Sequence, residues 1–221
     1  VTGGDDHAIR LWDAGTGKLL RALTGHEKPV SMVAMEPGGR VIASASLDHT
    51  VKLWDAGTGA LLRTLTGHTM QVLAARYGRD GGFLVTAGAD TTARVFTAEG
   101  TPLELLEGHT GALFDVAITA DGRLAATAGL DGTAMVWDAS AGTPLWTIDL
   151  DDTPVTSVEF SPDGRLLVLA AGETAEILDV TAGDVPADVL ATFAACRVGY
   201  VLAHGQLERV TPELGQCARL P

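Results

Sequence analysis

Cysteine is nearly absent from this chain: Cys196 and Cys217 are the only two in 221 residues, and they lack CxxC spacing. That argues against both a disulfide framework and a cysteine-ligated zinc site. Basic side chains are also scarce, fifteen against twenty-eight acidic, for a formal charge of −13. A surface of that sign repels nucleic-acid phosphates and anionic lipid, so neither nucleic acid nor a membrane is expected as a partner. No apolar run approaches the roughly 20 residues of a membrane-spanning helix, and the opening Val1-Thr2-Gly3-Gly4-Asp5 lacks the basic and apolar regions of a signal peptide. A cytoplasmic location is the expectation. Arginine outnumbers lysine twelve to three, and alanine and glycine are plentiful, a composition that points to a GC-rich bacterial source. At 46% hydrophobic and 19% charged, the chain has the makings of a sizeable buried core.

What the sequence does contain is a repeat. Gly25-His26, Gly67-His68 and Gly108-His109 are each followed, 22 residues after the histidine, by Asp48, Asp90 and Asp131, and six residues later by Trp54, Phe96 and Trp137. A hydroxyl precedes each aspartate by four residues, at Ser44, Thr86 and Thr127. Four positions held in register over three cycles make a tandem array with a period near 41. Thr2, Asp6 and Trp12 occupy the hydroxyl, aspartate and aromatic positions of a further unit, whose histidine would fall upstream of Val1. The expectation is therefore a fragment of something longer.

Each unit holds four short apolar runs divided by turn residues, such as Asp80-Gly81-Gly82, Ala120-Asp121-Gly122 and Ser161-Pro162-Asp163-Gly164. Runs of about 5 or 6 residues are strands, since a helix needs about twice that length. Four antiparallel strands per unit follow, named a to d. One such sheet cannot bury both faces until a neighbour covers them. The Gly-His and Trp-Asp pairs resemble the WD-repeat β-propeller family over residues 1 to about 180. The resemblance implies an all-β propeller of four-stranded antiparallel blades; about five are counted, and the missing upstream histidine makes an incomplete sector of a larger ring the expectation. The boundaries read as a partial opening blade at 1–24, well-marked repeats at 25–66, 67–107 and 108–148, a degenerate repeat at 149–190 and a terminal remnant at 191–221, all one domain. In the remnant, Asp188–Phe193, Arg197–Ala203 and Gln206–Thr211 read as strands around a His204-Gly205 turn.

In an antiparallel meander the d–a and b–c connections emerge at one end, so histidine and aspartate can meet there. The relay His26, Ser44, Asp48, Trp54 then resembles the family's structural hydrogen-bond tetrad, repeated in His68, Thr86, Asp90, Phe96 and in His109, Thr127, Asp131, Trp137. Phe96 lacks the indole donor, so its relay should be one link weaker. The degenerate repeat has lost the whole set and shortened its b–c turn, as expected if a partly satisfied network costs more than an apolar replacement.

A Ser/Thr-His-Asp trio also invites a catalytic reading, but a triad occurs once in a cleft and this one recurs at blade-forming positions. No catalytic residue, cofactor or metal is expected. The acidic Asp149, Asp151 and Asp152 lack the remaining ligands of a calcium loop, and His7, His49 and His204 read as turn residues. What varies between units is the d–a and b–c loops: Glu27, Lys28, Met70, Gln71 and Thr110, with His49 and Thr91. Variable loops on a fixed frame suit recognition, with Met70, Leu47 and Leu130 as apolar anchors. The expected function is a noncatalytic scaffold that binds a protein or peptide. The alternatives are an enzymatic propeller, either hydrolase or lyase, with metal at the acidic cluster, and a sensor or regulatory appendage continuous with upstream blades or a catalytic domain.

Overall fold

The computed structural model describes residues 1–180 and two later strands, Gly199–Ala203 and Gln206–Val210. The described regular structure is entirely β. Strands β1 (Thr2–Gly3), β2 (Ile9–Trp12) and β3 (Leu19–Leu23) form a three-stranded opening sheet. Three four-stranded antiparallel meanders follow. These are β4 (Val30–Met35) to β7 (Leu61–Leu65), β8 (Val72–Tyr77) to β11 (Pro102–Glu107), and β12 (Leu113–Ile118) to β15 (Thr143–Asp149). The b and c strands of these meanders are β5 (Val41–Ser46) and β6 (Val51–Asp55), β9 (Phe83–Gly88) and β10 (Thr92–Thr97), and β13 (Leu124–Gly129) and β14 (Thr133–Asp138). The fifth sheet runs β16 (Val155–Phe160), β17 (Leu166–Ala171) and β18 (Thr174–Asp179), then β19 (Gly199–Ala203) and β20 (Gln206–Val210). It thus exceeds the expected four strands, with Ala175 opposite Tyr200 where β18 meets β19. The expected strand at 188–193, the 204–205 turn and both cysteines lie outside the described residues.

The core is a series of layers between successive sheets. Ile9 and Leu23 meet Ile42 and Trp54 at the first junction. Ala43, Leu53 and Leu65 meet Val72, Leu84 and Phe96 at the second. Strand b is covered on both faces, so β5, β9 and β13 read as continuous small apolar runs rather than alternating ones. Alanines such as Ala43, Ala45, Ala126 and Ala128 let the sheets close to contact distance. In the fifth sheet the same strand alternates: Val168 is 38% exposed where Ala43, Val85 and Ala126 are 0%. Its far face has no covering blade among the described residues.

Strands a are neighbours in space, and a buried carboxylate joins three of them. Asp115 on β12 accepts from Arg76 Nε (2.8 Å) and Nη2 (3.0 Å) on β8, and from Ser157 Oγ (2.8 Å) and the Val158 amide (3.3 Å) on β16. Arg76 Nη1 also reaches Glu159 at 3.3 Å. At the opposite edge, Arg63 Nη1 donates to the Gly100 carbonyl in the next blade's c–d turn, as Arg21 does to Gly57.

Candidate functional site

Each relay is assembled by backbone register. The d–a loop delivers His26 just before β4, β5 carries Ser44, the b–c turn presents Asp48 and β6 carries Trp54. Ile42 pairs with Trp54 and Ala45 with Val51, which brings the hydroxyl and the indole within reach. Trp54 Nε1 donates to Ser44 Oγ at 2.8 Å, Ser44 Oγ lies 2.7 Å from His26 Nε2, and His26 Nδ1 lies 2.7 Å from Asp48 Oδ2. The fourth sheet repeats this, with Trp137 to Thr127 at 2.9 Å, Thr127 to His109 at 2.7 Å and His109 to Asp131 at 2.9 Å. Because the carboxylate can only accept, Nδ1 carries the proton and Nε2 accepts from the hydroxyl. The third sheet keeps His68 to Thr86 at 2.9 Å and His68 to Asp90 at 3.0 Å, and Phe96 supplies no donor.

The glycine before each histidine has a steric reason. A side chain at Gly25 or Gly108 would sit 3.1 Å from the Cη2 edge of Trp54 or Trp137. At Gly67 the neighbour is instead the Arg94 guanidinium, which donates to the Gly67 carbonyl at 2.8 Å.

Burial pushes all three imidazoles below the ordinary histidine value, against the opposing pull of their aspartates. Burial alone would raise Asp48, yet bonds from Thr50, His26 and the Glu27 amide outweigh it and hold the carboxyl far below its usual range. Asp131 is likewise drawn down to about 2 by the Thr110 amide, Thr133 and His109 despite its burial. The resulting pair is a neutral imidazole beside a fixed carboxylate. The side chains of His26 and His109 have no exposed surface, and Ser44, Thr86 and Thr127 are fully buried. No substrate reaches such a hydroxyl.

In the opening unit Trp12 Nε1 donates to Thr2 Oγ1 at 2.9 Å, while Asp6 pairs with Arg10. Trp12 is 39% exposed, unlike its buried counterparts. The degenerate unit replaces the relay with hydrocarbon. Leu150, Leu169 and Leu178 stand where the others have glycine, hydroxyl and tryptophan, and all three belong to one apolar cluster. Its b–c turn is Gly172-Glu173, one residue shorter than Leu130-Asp131-Gly132.

The loop residues expected to meet a partner lie together on the d–a and b–c end, as the strand order requires. Glu27, Lys28, Met70 and Thr110 are exposed, and Gln71 is half-buried. His49 and Thr91 are also half-buried, and they hold the left-handed turn position (φ 71° and 66°) that Gly132 fills in the fourth sheet. Leu47 is only half-buried and is the weakest of the apolar anchors, whereas Met70 and Leu130 are 47% and 49% exposed. The sequence reading missed Phe114, 36% exposed on the same end, and the Arg76–Asp115 bridge. Phe114 stands where other units have Ser31, Leu73 and Thr156, and Asp115 where they have Met32, Ala74 and Ser157, which was the available signal.

Stacked four-stranded meanders, each with its inner strand beside the next blade's inner strand and a sealed relay at one end, define a β-propeller blade array. The chain belongs to the WD-repeat family: the model described as "WD domain, G-beta repeat" matches residues 17–55, 59–97, 100–138 and 142–175. The first three matches run from strand d of one sheet through strand c of the next, so each sequence repeat laces two blades together. The chain is similar to "Nuclear distribution protein nudF 2" of Aspergillus clavatus, 46% identical over 46 residues, covering 21% of this chain and 10% of that protein. It is also similar to "Cilia- and flagella-associated protein 52" of Sus scrofa, 37% identical over 46 residues (21% and 7%). "Periodic tryptophan protein 2 homolog" of Neurospora crassa is 45% identical over 42 residues (19% and 5%). The matched stretch thus spans a tenth or less of these curated relatives, which come from animals and fungi.

Proposed function

We propose that the chain is a noncatalytic protein-interaction scaffold that holds a partner on the face formed by the d–a and b–c loops. The observation that carries this reading is the sealing of the His-hydroxyl-Asp trios: every member is committed to a neighbour, and the hydroxyl oxygens are out of solvent. Chemistry is thereby confined to the frame, and the variable side chains project from its loops. Family membership supports the same reading by analogy of fold. Capture of partners on immobilised protein, comparing the parent with a Lys28→Glu, His49→Gly, Met70→Ser variant, tests it. The variant is expected to lose the captured protein while unfolding at a midpoint no lower than the parent's. Undiminished recovery would count against this face.

A further inference from the structure

On the fourth and fifth sheets the loop face changes character. Phe114 occupies an extra, bulged residue of β12: Leu113 pairs with Gly129 and Asp115 with Ala128, leaving Phe114 without a partner in register. A bulge re-aims its side chain away from the sheet's normal alternation. The equivalent residue Ser31 bonds the Val72 carbonyl at the start of the next blade's inner strand, so Phe114 stands at the junction with β16. Leu130 is tied to the same spot, because its amide bonds Ala112 and a side chain at Gly111 would lie 3.2 Å from its Cβ.

The neighbouring loop is acidic. Asp151 stands where the other units have histidine, and the backbone of Asp152 lies against Gly132, 2.7 Å from where a Cβ would be. Glu173 caps the next b–c turn, and Gly172 beside it packs on Thr153. Asp151, Asp152 and Glu173 are exposed, and no lysine or arginine occurs in the loops at 108–113, 130–132, 150–154 or 172–173. An exposed aromatic and a leucine therefore border three carboxylates with no cation among them.

From this juxtaposition we infer that the fourth and fifth blades bind a peptide segment of a partner protein, one that seats a large apolar side chain on Phe114 and Leu130 and follows it with lysines or arginines over Asp151, Asp152 and Glu173. The inference rests on the scaffold reading and specifies the partner's chemistry. Apolar anchors within a charged rim are the usual arrangement of a protein-binding patch, and the net charge of −13 draws a basic segment toward it.

Fluorescence anisotropy with two short labelled peptides tests it, one containing Leu-Phe followed by three arginines and the other Leu-Phe followed by three glutamates. The full chain should bind the basic peptide at least about tenfold more tightly, with affinity falling as salt rises from about 50 to 300 mM. Phe114→Ser and Leu130→Ala copy residues found at the same positions in other blades, Ser31 and Ala89, so the fold tolerates them. Each should weaken the basic peptide by about tenfold. Asp151→Asn with Asp152→Asn should weaken it and flatten the salt dependence. Equal binding of the two peptides, no binding of either at about 100 μM, or indifference to Phe114→Ser would overturn the proposal. If the peptides fail while the Lys28, His49, Met70 variant still loses its captured partner, only this inference falls and the scaffold reading stands.

Discussion

The hydroxyl of Ser44 serves two neighbours at once, taking the indole proton of Trp54 and giving its own to His26. Removing such a group strands both, and each unmet buried bond costs about 1–3 kcal/mol. Thr127→Val should therefore cost more than Thr86→Val, by about 1 kcal/mol, because only Thr127 has a tryptophan depending on it. Urea denaturation of the two variants measures that difference. Turn position Thr91 is a second sensitive residue: a β-branched side chain at φ 66° is strained. Thr91→Gly should stabilise the protein by about 1 kcal/mol, since Gly132 does the same job elsewhere. The sequence shows that 49, 91 and 132 are equivalent, but only backbone angles reveal that the position is left-handed.

At the scale of strands and blades, tryptophan is the main inter-sheet filler. Trp54→Ala should cost about 3–5 kcal/mol, since the ring is 2% exposed between the first and second sheets. The degenerate blade supports the converse. Its Leu150–Leu169–Leu178 cluster needs no polar partner, so Leu169→Thr, which returns a hydroxyl without its histidine, should destabilise by about 1–3 kcal/mol in thermal unfolding. That blade is anchored sideways instead, through Asp115. Asp115→Ala should fall at the lower end of about 3–5 kcal/mol, because Arg76 keeps a third of its surface in water. Amide hydrogen exchange in the variant should rise first along β16. Strand positions and the relay spacing were legible because they recur. The Asp115 bridge was not, since its partners lie 39 and 42 residues away in blades that individually break the pattern. The bulged residue of each outer strand, Leu20, Leu62, Leu103 and Leu145, was hidden for a different reason. A leucine at that spacing reads as an ordinary strand residue.

For the molecule as a whole, the relays couple stability to pH. The folded imidazoles hold pKa values below the unfolded histidine value, so the unfolded chain gains protons first as pH falls. Stability should be full above about pH 6.5 and decline below it, then fall further below about pH 4 as Asp48, Asp90 and Asp131 lose their depressed carboxylates to protonation. The fold class was readable from the period together with the short apolar runs between turns, while the apolar-acidic patch on the last two blades appeared only when Phe114 was seen at a bulge and Asp152 against Gly132. The central claim is that the recurrent side chains are internal fasteners of the blades. Nitrogen-15 NMR of the imidazole rings at pH 7 tests it most directly. His26, His68 and His109 should each appear as the neutral, Nδ1-protonated tautomer. Rings that are charged at pH 7, or that average between tautomers as free imidazole does, would contradict it.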